Sequence, residues 1–146
     1  MSLGLLGLVT FAACKKNDNG VPTLTPKETI LTSKVWKLYS LTVPKSNNPS
    51  EDSSITKPCS DSTLVAFDVY KVYQIADRSL NSCDSTIVPY DRGTWALSAA
   101  DSLTLNGGNR KFVWKIQVLN DSLVKATYRD STAPTRNWLK TITFKK

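Results

Sequence analysis

The sequence predicts an all-β chain: an eight-stranded antiparallel up-and-down barrel with one short N-terminal helix. Three observations predict it. Eight short runs of branched and aromatic residues lie between positions 35 and 145. Turn-forming Asn, Asp, Ser and Gly break these runs about every 8 to 12 residues, the rhythm of a sandwich or a barrel. No long crossover intervenes, so successive strands pair as hairpins, and closure removes the exposed edges of an open sheet.

The elements follow in order. Thr25-Pro26-Lys27-Glu28 joins an N-cap threonine, a proline at the first helical position and a glutamate three residues after the cap. A helix is therefore expected from Pro26 to about Ser33. Residues 35–43 (VWKLYSLTV) are a strand rich in branched and aromatic side chains. The Ser-, Asn- and Pro-rich tract at 44–58 is read as a loop. Residues 63–67 (TLVAF) and 71–77 follow as strands around a turn at 68–71. Residues 93–98 (GTWALS) alternate, with Trp95 and Leu97 on one face. Ala100-Asp101 turns into 102–105 (SLTL), and the NGGN at 106–109 is a strong hairpin signal. Residues 111–119 alternate Phe112, Trp114, Ile116 and Val118 against Lys111, Val113, Lys115 and Gln117. Asn120-Asp121 turns into 122–129, and residues 136–145 close the chain.

The front of the chain is of another kind. Residues 3–13 (LGLLGLVTFAA) are apolar or small except for Thr10. The run is too short for a bilayer, which needs about 20 residues, and suits the apolar core of a secretory signal. Ala12 and Ala13 directly before Cys14 resemble the bacterial lipobox, whose cysteine thiol receives diacylglycerol. Nothing positive precedes the apolar run, so the native start is expected to be truncated. The expected organisation is a signal peptide at 1–13, a lipidated Cys14 with a flexible tether to residue 25, and a barrel domain at 26–146. Lys15 after the cysteine resembles lipoproteins sent on to the outer membrane of Gram-negative bacteria. The expected location is therefore that membrane, through the lipid anchor.

With Cys14 on lipid, two of the three cysteines remain. An oxidising compartment favours their union. Cys59 and Cys83 lie symmetrically about residue 71, so a hairpin turning there would set them opposite each other. Closing that loop stabilises by roughly 3 kcal/mol on the chain-entropy account. Without histidine, two cysteines make a poor zinc set. No metal or other cofactor is expected.

The order of Trp36 in the first strand, Cys59 before Asp61-x-x-x-x-x-Phe67, Cys83, Gly93-x-Trp95-x-Leu97 and a closing Ile142-x-Phe144-Lys145 resembles the small lipocalin-like lipoproteins of Gram-negative bacteria. The resemblance covers residues 30–146 and implies a calyx-like, lipocalin-like barrel without naming a ligand. The chain departs from that pattern at 68–70, where the family often has glycine, and at Lys34-Val35-Trp36, which lacks the glycine of the lipocalin Gly-x-Trp.

Eight strands enclose a space just wide enough to fill with side chains or to admit one small ligand. Trp36, Trp95, Phe112, Trp114, Tyr128 and Trp138 are the aromatic candidates for lining it, and equally for filling it. Lys140 is in phase with Trp138 and Ile142. That phase aims it inward to meet a carboxylate ligand, unless a bulge after Trp138 shifts the register.

Charge is uneven. The net +7 arises wholly in residues 110–146, where nine basic side chains face only Asp121 and Asp130. Lys111, Lys115 and Lys125 are expected to project outward together. Such a face attracts anions, namely lipopolysaccharide phosphates, acidic glycans or an acidic protein, unless it is simply solvated. Nucleic acid is not expected, given the exported address and the lack of a recognition motif. Without histidine there is no imidazole base, and no carboxylate pair or phosphate loop stands out, so no enzyme is expected. Two functions survive: binding a small apolar or amphipathic ligand inside the barrel, or binding a protease or envelope component through the basic face. A cationic lysozyme would be repelled by that face.

Overall fold

The computed structural model describes residues 20–45, 47–48, 50–54, 63–77, 88–108, 111–129 and 139–146. One helix, α1 (Pro26–Thr32), precedes nine strands: β1 (Val35–Pro44), β2 (Asp52–Ser54), β3 (Leu64–Phe67), β4 (Val72–Asp77), β5 (Val88–Leu97), β6 (Ser102–Gly107), β7 (Lys111–Leu119), β8 (Leu123–Arg129) and β9 (Leu139–Lys145). Eight of them, β1 and β3 to β9, pair antiparallel in order, and β9 returns to β1. Lys37 pairs with both Leu64 of β3 and Lys145 of β9, which closes the cylinder. The lipocalin-like barrel with one short helix is thus the architecture of the described residues.

β2 is a correction. The tract at 44–58, expected as a loop, contributes a strand that pairs Thr42 with Ser54 and Pro44 with Asp52. The reason lies in β1, which continues well past its last pairing with β3 at Lys37 and would otherwise leave backbone groups bare on that side. Lys45 N–H donating to the Glu51 carbonyl (2.8 Å) and the Lys45–Glu51 ion pair (2.6 Å) hold the returning chain. β5 also starts earlier than expected, at Val88 rather than 93. The β3–β4 register pairs Phe67 with Tyr73 and Leu64 with Ala76, which centres the hairpin at residue 70 rather than 71. Cys14, Cys59, Cys83 and Trp138 lie outside the described residues.

α1 forms as its cap dictates. The Thr25 hydroxyl accepts from Glu28 N–H (3.3 Å), and Glu28 Oε2 accepts from Thr25 N–H (2.9 Å). The helix then closes one end of the barrel. Leu31 is fully buried there, and the Trp36 indole N–H donates to its carbonyl (3.0 Å). Three consecutive hairpin turns at this end are each held by an ion pair from α1 or its flank. Glu28 pairs with Lys71 in the β3–β4 turn, Lys27 with Asp101 in the β5–β6 turn, and Lys34 with Asp121 in the β7–β8 turn (3.8 Å).

The first two turns share one design. Asp68 N–H donates to the Val72 carbonyl and Ser98 N–H to the Ser102 carbonyl, both at 2.9 Å. Each loop then ends on a left-handed residue, Lys71 (φ 67°) or Asp101 (φ 59°). Above the helix the interior is filled by one apolar cluster drawn from every barrel strand, including Trp36, Phe67, Trp95, Leu105, Trp114 and Phe144. β1, β4, β6 and β8 run away from the helix and finish at the opposite end.

Candidate functional site

The seven interior candidates separate. Trp36 (0% exposed) and Trp95 (2%) belong to the closed end. Both indole N–H groups are satisfied by backbone there, Trp36 on Leu31 and Trp95 on the Asp68 carbonyl at 3.2 Å. Phe67 meets Trp95 edge to face at 5.7 Å, and the Lys71 ammonium lies 4.1 Å from its ring centre. These two tryptophans seat the turns and the helix. Trp138 lies outside the described residues.

Phe112, Trp114, Tyr128 and Lys140 come together in the half away from α1. Phe112 meets Tyr128 edge to face at 6.1 Å, Trp114 lies 6.3 Å from Tyr128, and Trp114 stacks on Phe144 at 5.5 Å. Tyr128 and Lys140 face each other across β8 and β9, and the ammonium sits 5.9 Å from the phenol ring centre. From Leu139 onward no bulge interrupts the β8–β9 register, so Lys140 keeps the phase of Ile142 and Phe144, which are both buried in the core. A cation therefore faces the interior. Trp114, 4% exposed, brings a second polar feature: its indole N–H is buried without an acceptor among the described residues. Such an orphan donor costs about 1–3 kcal/mol.

Sequence reasoning missed a further pair. Tyr73 is fully buried, and its hydroxyl donates to Asp91 Oδ2 at 2.6 Å. Burial first, then the hydrogen bond and negative charge of Asp91, hold the phenol well above its ordinary range, so it remains a donor. One glycine makes room for this pair, and another for the adjoining β6 backbone. A Cβ on Gly107 would fall on the Asp91 carboxylate oxygens, and one on Gly93 would fall on the Asn106 carbonyl. The signal was present: Asp91 precedes Gly93, Trp95 and Leu97 in the same alternation, so an acid stood in the inward phase.

No protein-family model matches the chain, and no curated protein matches it.

What the site can do follows from its own geometry. The interior wall offers aromatic surface for an apolar body, an ammonium and an unsatisfied N–H for an anionic or acceptor group, and a carboxylate already engaged by a phenol. That is an amphipathic lining of the kind that orients a small molecule.

The outer face carries a second feature. Lys111, Val113 and Lys115 project from β7, and with Thr127, Tyr128, Arg129 and Leu139 they line a groove of about 560 Å³. Val113 is 50% exposed and Leu139 40%, so its floor is apolar. Of the expected basic patch, Lys111 and Lys115 line the groove. Lys125 lies deeper in the same outer phase, half-buried and paired with Val118 and Thr143, and Arg129 takes its place.

Proposed function

We propose that this protein is an exported, lipid-anchored barrel that holds one small amphipathic molecule in the half away from its helix. The inward row of Trp114, Tyr128 and Lys140 carries this reading: an unsatisfied N–H, an aromatic face and an ammonium on one stretch of wall. A core built for stability alone has no use for an orphan donor beside an inward cation. A ligand with a carboxylate or similar acceptor head would take the N–H and the ammonium, and its apolar part would lie on Phe112 and Tyr128.

The anchor rests on the chain before the barrel. Two or three acyl chains on Cys14, at about 0.8 kcal/mol per buried methylene, give an attachment that does not reverse. The address is the outer membrane of a Gram-negative cell. Cys59 and Cys83 join as a disulfide in that oxidising compartment. What supports this union is that the ends of β3 and β4 nearest the two cysteines in sequence are side by side, with Leu64 paired to Ala76.

Native mass spectrometry of protein purified from its own host tests the reading, with anilinonaphthalene sulfonate as a defined aromatic anion. A retained small molecule is expected, with probe fluorescence that falls in Lys140→Met and Trp114→Phe. A bare protein mass, together with probe binding unchanged in both variants, would overturn it.

A further inference from the structure

The outer groove lies on the other face of the wall from the interior site, and Tyr128 is common to both. Along β7 the outward residues read Lys111, Val113, Lys115, cation–apolar–cation at every second position. The two lysines are therefore about 13 Å apart along the strand, at roughly 3.4 Å per residue. Across the sheet, Arg129 and Leu139 are directly paired, adding a third cation and a second apolar contact. The described residues of β7, β8 and β9 contain no acid at all.

Elsewhere Lys27, Lys34, Lys45 and Lys71 each have a carboxylate partner. Lys111 has none among the described residues, and Lys115 donates only to the Ala100 carbonyl. Among the described residues, the charges of Lys111 and Lys115 thus meet no carboxylate beside exposed apolar surface, in the part of the chain that carries the whole net charge.

We propose that this groove docks an acidic segment of a partner protein in extended conformation. The segment carries carboxylates four residues apart and one apolar side chain midway between them. An extended chain repeats its side chains every second residue, as β7 does, so two carboxylates reach Lys111 and Lys115 while the middle side chain covers Val113. A phosphate head group would call for cations converging on one point rather than a spaced pair about an apolar floor.

The test is fluorescence anisotropy with a labelled peptide bearing glutamates at its first and fifth positions and leucine at its third. Two comparisons accompany it: a shuffled peptide of the same composition, and phosphatidylglycerol vesicles. Salt-dependent binding is expected, weakened about tenfold or more in Lys111→Glu/Lys115→Glu and several-fold in Val113→Asp and for the shuffled peptide. Anilinonaphthalene sulfonate should bind these surface variants as it binds the parent, which separates this groove from the interior site and confirms folding. Equal binding of both peptides would overturn the proposal. So would vesicles bound through Lys111 and Lys115 where the peptide is not.

Discussion

Lys71 and Asp101 hold left-handed backbone that glycine adopts at no steric cost, at a strain of about 1–2 kcal/mol each. Both are compensated by work glycine could not do, since each anchors α1 through an ion pair. For Lys71 the partner is the buried Glu28, whose carboxyl is held below its ordinary value of 4.5, first by the Lys71 hydrogen bond and then by the Thr25 backbone. A lowered carboxyl contributes stability that is present above pH 4.5 and lost as the pH falls below it. Lys71→Met, which strands that carboxylate, should cost about 1–3 kcal/mol at neutral pH. Urea unfolding should show this loss, with a shallower decline on acidification than the parent. Tyr73 has the opposite sign. Its raised pKa keeps the proton in the folded barrel after the unfolded chain releases it, so stability should fall as the pH rises above about 10. Tyr73→Phe should flatten that alkaline decline in thermal melts followed by circular dichroism. A decline equally steep in the variant would show that the phenol is not its source.

The elements were unequally legible in the sequence. α1 was readable because a capping box is local chemistry at fixed spacing, and its helix ends one residue short of the expected limit. Thr25→Ala should cost about 1 kcal/mol and loosen the closed end, measurable as faster amide exchange at residues 28–31. β2 was not readable. Its serines carry no strand preference, and only the bare side of β1 makes a strand of them. The turn at 68–71 was readable although Lys71 holds the left-handed position that glycine usually takes. Asp91 hid in plain alternation, because an acid in the inward phase looks like an error until Tyr73 and Gly107 are seen around it. Gly107→Ala places a methyl group on that carboxylate and should destabilise by about 1–3 kcal/mol, read from the urea midpoint.

For the molecule as a whole, alternation and turn spacing foretold a closed barrel. They did not indicate whether each aromatic would plug the closed end or line the half away from α1. That choice depends on strand stagger, which places Trp95 against a turn and Trp114 beside Tyr128. Export and anchoring are decided by mass. Protein from its own host should carry the acyl groups on Cys14 and should gain a pair of hydrogens on reduction as Cys59 and Cys83 separate. A mass without acyl groups would remove the anchor, and one unchanged by reductant would remove the disulfide.

The joint between β1 and β9 ties the first strand of the sheet to the last. While a ribosome or a secretion channel still withholds β9, the nascent cylinder gapes, and two rows of backbone amides and carbonyls stand ready to recruit a stranger. Maturation of this fold therefore waits on its final strand, and a chaperone that shields β1 until then would guard the most vulnerable moment in its history.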